Sequence, residues 1–269
     1  MRTPPDAPGI GLRTALYAEW TKLRSVSGPL GLLLATVALT TTVGLTAVAG
    51  VRCPSEGCAA DPAKISLAGI TLGQAVIAVL AVSAMAGEYS TGMIRVSLAA
   101  VPRRSTLLTA KALVITAVAL VAGTIAVLGS LLAGRLILPG KGFTASHGYP
   151  PLSLADGRVL RAATGSILYL ALIALLSLGV ATAVRDSAAS IGVVLGLLYL
   201  FPILAAVVTD PDWSRRLQQV GPMSAGLSIQ ATTGLPDLPI APWAGLGVLT
   251  AWAAAALLAG GLLLRLRDA

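Results

Sequence analysis

The stretch that decides the fold is residues 87–111, GEYSTGMIRVSLAAVPRRSTLLTAK. It lies between two long uncharged apolar runs and concentrates one acidic and four basic side chains: Glu88, Arg95, Arg103, Arg104 and Lys111. Ile94, Leu98 and Val101 follow the i, i+4, i+7 spacing of one helix face, and Pro102 cannot continue that helix. We interpret the stretch as a short interfacial helix between two membrane spans. The alternative is an ordinary connection whose positive charges only set topology.

The composition of the chain places most of it in lipid. Hydrophobic residues make up 56% of the 269 residues and charged residues only 11%, and the mean hydropathy is +0.86. A soluble domain carries about 25% charged residues. The net charge of +8 is therefore expected to reflect membrane topology, and it does not indicate a nucleic-acid partner.

Six apolar runs are long enough to cross a bilayer, at about residues 29–50, 65–86, 112–134, 162–184, 187–209 and 241–264. At about 1.5 Å per residue the first run covers roughly 33 Å, and the hydrocarbon core is about 30 Å thick. We therefore predict an all-α protein with six transmembrane helices. Its parts are an N-terminal segment (1–27), a membrane domain (28–264) and a short tail (265–269).

The segment before the first span has the pattern of an amphipathic helix that lies in the membrane interface. Residues 11–27 have an apolar stripe that includes Leu16, with Trp20 at interface depth. Glu19 falls on the apolar side, where a carboxylate is costly unless it is paired, and Lys22 is its nearest partner. Glu19 is expected either to pair with Lys22 alone or to bind a polar group of the helix bundle.

The distribution of basic residues predicts the orientation. Six spans place both termini on one side, and eleven of the 19 basic residues fall on that side against eight on the other. Basic residues favour the cytoplasmic side of a membrane. We therefore expect a plasma-membrane protein whose termini and residues 87–111 are cytoplasmic.

The only two cysteines, Cys53 and Cys58, fall in the loop after the first span, which this orientation places outside. A turn at Pro54 and Gly57 can bring their Cα atoms within the roughly 5.5 Å that a disulfide requires. The outer side is oxidising, so a Cys53–Cys58 disulfide is predicted.

The sequence offers little catalytic chemistry. Its single histidine, His147, lies in a loop, and the six apolar runs contain no ionisable residue and no paired carboxylates. Enzymes and ion-driven transporters within membranes rely on ionisable residues at bilayer depth. We expect neither an enzyme nor a metal or cofactor site, and any energy source should lie outside this chain.

Two motifs carry a resemblance to a known family. Residues 18–25 (AEWTKLRS) and residues 87–95 (GEYSTGMIR), followed by VPRR at 101–104 and by Lys111, resemble ATP-binding-cassette transporter permeases of the type-2, exporter and drug-resistance-like superfamily. Shorter matches at 160–162 and 184–187 fit their bacterial, actinobacterial-like branch, and the resemblance covers nearly the whole chain. Met93 departs from the pattern, because many relatives have Thr there.

The resemblance implies that the stretch 87–111 forms a coupling helix that docks on a cytoplasmic ATP-binding subunit. The residues that would couple the two subunits are Glu88, Gly92, Arg95, Pro102, Arg103 and Arg104. Glu88 can pair with Arg95 or with a basic group of the partner, and the two arginines after Pro102 are expected to point out of the membrane. Glu19, Trp20 and Lys22 would belong to the interfacial helix.

The implied function is export of a drug-like, lipid-like or other amphiphilic substrate. The implied partners are the ATP-binding subunit, which would hold ATP, a second identical or homologous permease, and membrane lipids. The alternative from another class is a non-transporting membrane anchor or sensor that recruits a cytoplasmic partner.

Overall fold

The computed structural model describes residues 11–53, 60–100 and 103–266, and no strand occurs among them. The α-helices are α1 (Leu12–Ser25), α2 (Ser27–Gly50), α3 (Pro62–Ser66), α4 (Ile70–Ser90), α5 (Met93–Ala100), α6 (Arg104–Ile137), α7 (Gly157–Val184), α8 (Ser187–Val207), α9 (Pro211–Val220), α10 (Pro222–Leu227) and α11 (Pro242–Leu266). Short 3-10 turns follow α6 and α10 and precede α11.

Six of these helices, α2, α4, α6, α7, α8 and α11, are long and apolar enough to cross a membrane. The predicted all-α fold with six such helices is confirmed, and it fits a multi-pass membrane protein. We call the end of the bundle where α2 begins and α11 ends the proximal end, and the opposite end the distal end.

Several span boundaries differ from the prediction by a few residues, and two of the differences concern residues 87–111. The second spanning helix runs to Ser90 and the third begins at Arg104, so both continue into the stretch predicted to connect them. The predicted spans end at the first charged residue. The helices continue past Glu88 and Lys111 because these two charges are paired with each other inside the bundle. The short helix between them is α5, which Gly92 precedes with a positive φ of 70° that favours glycine.

Helix α7 lies at the centre of the bundle and contacts α4, α6, α8 and α11. At its crossing with α11 the two backbones touch, since a Cβ on Gly179 would come 2.5 Å from the carbonyl carbon of Ala256. Gly260 of α11 meets the same crossing, with its would-be Cβ 2.6 Å from the Gly179 oxygen. Without side chains here the helices approach closely, and dispersion contacts and packing hold them together in lipid.

At the distal end, α10 folds back into the bundle beside α8 and α11. Its Met223 sulfur accepts a hydrogen bond from the Gln74 amide at 3.2 Å, and the Tyr169 hydroxyl donates to the Gln74 oxygen. These buried polar groups of α4, α7 and α10 are hydrogen-bonded to one another, and the bonds hold α10 within the bundle.

Candidate functional site

Four charged side chains from three helices meet at the proximal end. Glu19 and Lys22 come from α1, Glu88 from the end of α4 and Lys111 from α6. The Lys111 Nζ lies 2.7 Å from an oxygen of Glu19 and 2.7 Å from Oε1 of Glu88, and the Lys22 Nζ lies 2.9 Å and 2.8 Å from the same two carboxylates. We call these four residues the ion cluster. Two positive and two negative charges make it neutral.

Lys111 is the most deeply buried member, at 2% exposure. Its ammonium donates to Glu19, to Glu88 and, at 3.1 Å, to the carbonyl of Ala84, so all three of its donors are used. Burial of a charge is costly unless the charge is paired and hydrogen-bonded. The lysine therefore ties α6 to α1 and α4.

Lys22 connects the cluster to the short helix α5. Besides its two carboxylate partners, its ammonium donates to the Ser97 hydroxyl of α5 at 3.0 Å. Burial alone would lower the pKa of Lys22, but its hydrogen bonds to Glu88 and Glu19 outweigh that effect and raise the pKa above its ordinary value of 10.5. Lys22 thus stays charged, and it holds α1, α4 and α5 at one point.

The α1 helix presents its carboxylate inward. Ala15 and Glu19 are buried against the bundle, while Trp20 is 44% exposed. Of the two alternatives for Glu19, the second is found: it binds Lys111 of the bundle, and it also pairs with Lys22, so it does not pair with Lys22 alone. The outward-facing Trp20 is free to contact lipid or headgroups.

One expectation about charge is wrong. Glu88 pairs with Lys22 and Lys111 and not with Arg95, which is exposed. The predicted apolar runs 65–86 and 112–134 contain no ionisable residue, but α4 and α6 extend beyond these runs and include Glu88 and Lys111. The sequence analysis placed both residues in the connecting stretch because each lies just beyond an uncharged run. Their opposite charges at the facing ends of two apolar runs were the signal available.

The arginines predicted to face a partner differ from one another. Arg95 and Arg103 are exposed, as expected. Arg104 is instead half-buried, and its guanidinium donates to the Leu264 carbonyl at the end of α11 at 2.5 Å. Pro102 lies outside the described residues, and Gly92 is exposed, with positive φ, between α4 and α5.

Sequence reasoning missed a second arginine at the same place. Arg185 stands between α7 and α8 in the left-handed region, with φ of 65°, and its guanidinium donates to the Leu263 carbonyl at 3.4 Å. It also lies over the Tyr89 ring, 5.2 Å from the centroid. Arginines near the last carbonyls satisfy acceptors that a helix leaves open and complement its dipole. Arg104 and Arg185 therefore fix the proximal end of α11 to the rest of the bundle.

The predicted disulfide can be described only in part. Cys53 is buried in a small apolar cluster with Val48, Leu138 and Phe143, and no cysteine is free among the residues the structure describes. Cys58 lies outside those residues. The Cys53–Cys58 pairing stays a prediction.

Across ranges 11–53, 60–100 and 103–266, no three His, Cys, Asp or Glu side chains are grouped as metal ligands would be. All four salt bridges found among the described residues lie within the ion cluster. Its role is mechanical, since its charges link α1, α4 and α6 and the Lys22–Ser97 hydrogen bond adds α5.

Comparison with known proteins finds no matching family model and no matching curated protein. The likeness to transporter permeases thus remains a resemblance of motifs. Any function assigned to the chain has to rest on the geometry of the ion cluster and of α5.

Proposed function

We propose that this chain is the membrane-spanning permease subunit of an ATP-binding-cassette transporter, an exporter whose ATP is hydrolysed by a separate cytoplasmic subunit. One observation carries the proposal. The exposed short helix α5 is tied by the Ser97–Lys22 hydrogen bond to an ion cluster that also holds α1, α4 and α6. A force applied to α5 would therefore reach two spanning helices and the N-terminal helix.

The outer face of α5 has the character of a docking surface. Ile94 and Ser97 are buried toward the bundle, while Val96 is 65% exposed and Met93 46% exposed beside the exposed Arg95. Methionine and arginine are enriched in the cores of protein interfaces. This small apolar and basic surface suits a partner protein with an acidic, partly apolar groove.

The proposed coupling is a rigid-body movement. Closure of the ATP-binding subunits would displace α5, and the ion cluster would carry α4 and α6 with it. Breaking the cluster would leave buried charges unpaired, so its members move together rather than separate. The bundle would then alternate between inward-facing and outward-facing arrangements.

In this proposal both termini and α5 are cytoplasmic and the protein resides in the plasma membrane. A second identical or homologous permease completes the pathway. The substrate class is drug-like, lipid-like or otherwise amphiphilic, and this chain itself holds no cofactor and carries out no catalysis.

The test is co-purification with the ATP-binding subunit encoded in the neighbouring reading frame. Arg95→Ala with Arg103→Ala should leave membrane abundance near normal, because exposed charges add only about 0–1 kcal/mol to stability. Partner recovery and substrate-stimulated ATP hydrolysis should fall several-fold, since loss of an interfacial charge pair costs about 2–5 kcal/mol.

The matched control is Arg158→Ala, an exposed arginine at the distal end. It should change neither recovery nor hydrolysis. Full partner binding by the Arg95 and Arg103 double variant would overturn the docking role of α5. A neighbouring frame without an ATPase, together with recovery of a different partner on α5, would favour the membrane anchor or sensor.

A further inference from the structure

A cavity of about 450 Å³ lies at the proximal end, between the start of α6 and the end of α11. Its α6 wall lies between Arg104 and Thr109, and its α11 wall lies between Leu257 and Arg265. At about 1.5 Å per residue, the α11 wall is roughly 12 Å long. Binding sites for small molecules have volumes of roughly 300–1,000 Å³. The cavity therefore has room for a headgroup and the first part of an acyl chain.

The polarity of this cavity changes along its length. Arg104, Ser105 and Arg265 line its proximal part, where α6 begins and α11 ends. Leu257 and Leu258 line it about two helical turns further along α11. A site with charged groups at one end and an apolar wall at the other fits a molecule that is itself amphiphilic.

The polar end of the cavity is basic. None of the described residues that line it is acidic, so its two arginines give it a net positive charge. Arg104 is half-buried and is held by its bond to the Leu264 carbonyl, and a guanidinium with five N–H donors can bind more than one acceptor. The Ser105 hydroxyl can add a further donor. Because the planar donors of arginine match phosphate oxygens in pairs, the favoured ligand group is an anionic phosphate.

The cavity opens sideways, toward the lipid that surrounds spanning helices. Leu258 and Leu262, which line it on α11, are 74% and 57% exposed. Gly261 lies between them in the sequence and has no side chain to fill the space. Both α6 and α11 are long and apolar enough to cross a membrane. A lipid can therefore enter from the bilayer without passing through the bundle.

We propose that this cavity binds an anionic phospholipid from the surrounding bilayer. Its phosphodiester lies against Arg104, Ser105 and Arg265, and one acyl chain follows the leucine wall of α11. Basic pockets between spanning helices bind anionic lipid headgroups in other membrane proteins. A zwitterionic lipid is disfavoured because its own cation is repelled by the two arginines. A soluble phosphate is disfavoured because it has no chain to cover the leucines.

The experiment measures lipid retention by the purified full-length chain in detergent, using native mass spectrometry. Phosphatidylglycerol, which is anionic, and phosphatidylcholine, which is zwitterionic, are added at equal concentration with identical acyl chains. We expect about tenfold greater occupancy by the first bound phosphatidylglycerol, which corresponds to about 1.4 kcal/mol. Glycerophosphoglycerol, which has the same headgroup without chains, should compete only weakly.

A pair of charge variants tests the basic end. Arg265→Gln should lower the preference for phosphatidylglycerol about fivefold, the contribution of one basic residue near anionic headgroups. Arg95→Gln removes an exposed arginine at the same end of the bundle but outside the cavity, so it should keep the preference. Both arginines are exposed, so both variants should fold.

A matched pair of threonine variants tests the position of the lipid. Thr109→Phe places a ring in the cavity from α6, whereas Thr250→Phe places one on α11 outside it. The two threonines are alike, because each is exposed and donates to the carbonyl four residues earlier in its helix. Thr109→Phe should reduce the retention of phosphatidylglycerol to that of phosphatidylcholine, and Thr250→Phe should leave it unchanged.

Three outcomes would overturn the proposal. Equal retention of the two lipids would exclude selection by the arginines. A preference that survives either Arg265→Gln or Thr109→Phe would place the lipid elsewhere. Displacement by glycerophosphoglycerol at equal concentration would show a site for a free anion only. None of these measurements requires an ATP-binding subunit, so the result is independent of the proposed transport function.

Discussion

The Lys111 Nζ lies 2.7 Å from Oε1 of Glu88, and this contact joins the spanning helices α6 and α4. The lysine is 2% exposed, and its second carboxylate partner, Glu19, comes from the N-terminal helix. The pair is therefore a structural joint at the proximal end rather than a surface ion pair. Mutation of either residue should therefore lower the stability of the protein.

Removal of the Lys111 charge should destabilise the protein. Lys111→Met leaves two buried carboxylates with Lys22 as their only cation in the cluster, and loss of one partner of a buried pair costs about 3–5 kcal/mol. We expect a large fall in membrane abundance and in the Tm of the purified chain. The control is Lys64→Met, which removes an exposed lysine and should have little effect.

The double variant Lys111→Met with Glu88→Gln removes one charge of each sign. It leaves Glu19 and Lys22 as a pair, so it should be more stable than the sum of the single effects predicts. Equal Tm values for Lys111→Met and Lys64→Met would contradict a structural role for the ion cluster.

The contribution of Lys22 to stability should depend on pH only in the alkaline range. Because its folded pKa is raised, this contribution is fully present below the ordinary value of 10.5 and is lost as the pH rises through the folded value. The Tm difference between the wild type and Lys22→Met should therefore be constant from about pH 6 to 9 and shrink above pH 10.5. A difference that shrinks already near neutral pH would argue against the two carboxylate contacts.

Arg104 and Arg103 should behave differently although they are neighbours. Arg104→Ala removes the donor to the Leu264 carbonyl, so amide hydrogen exchange in the last turn of α11 should accelerate by up to about tenfold. Arg103→Ala removes an exposed side chain and serves as the control. Equal exchange rates in the two variants would mean that Arg104 does not hold α11.

Thiol labelling should establish the orientation. In a background with both native cysteines changed to Ser, a membrane-impermeant maleimide should label Trp213→Cys in intact cells. It should label Arg103→Cys only after permeabilisation, because basic residues favour the cytoplasmic side. Both native side chains are exposed, so access to either is limited only by the membrane. Labelling of Arg103→Cys in intact cells would reverse the assigned topology.

The disulfide prediction is tested by counting free thiols in the unreduced protein by mass spectrometry. A Cys53–Cys58 bond predicts none, and two modified thiols would exclude it. Since the bond closes a very short loop, Cys58→Ser should leave the Tm nearly unchanged. The control is Val37→Ser, a substitution on a spanning helix away from this loop, and its change in Tm is compared with that of Cys58→Ser.

Several features of the protein follow from the sequence by itself. The six apolar runs determined the six spanning helices. Lipid offers no hydrogen-bond partners to the backbone N–H and C=O groups of such a run, and an α-helix bonds these groups to one another. The i, i+4 spacing at Ile94 and Leu98 predicted a short helix between the second and third spans, and α5 is that helix. The position of Glu19 on the apolar side of α1 predicted that it needs a partner.

Only the tertiary structure decided where the charges go. Glu19, Glu88 and Lys111 are separated along the chain by tens of residues, and a local pattern cannot show that three helix ends converge on one point. The predicted pairing of Glu88 with Arg95, its nearest basic residue in the sequence, was wrong for this reason. The same convergence moved the helix boundaries, because a charge inside a bundle is tolerated only when another helix supplies its counter-charge, and that helix is known only once the chain has folded.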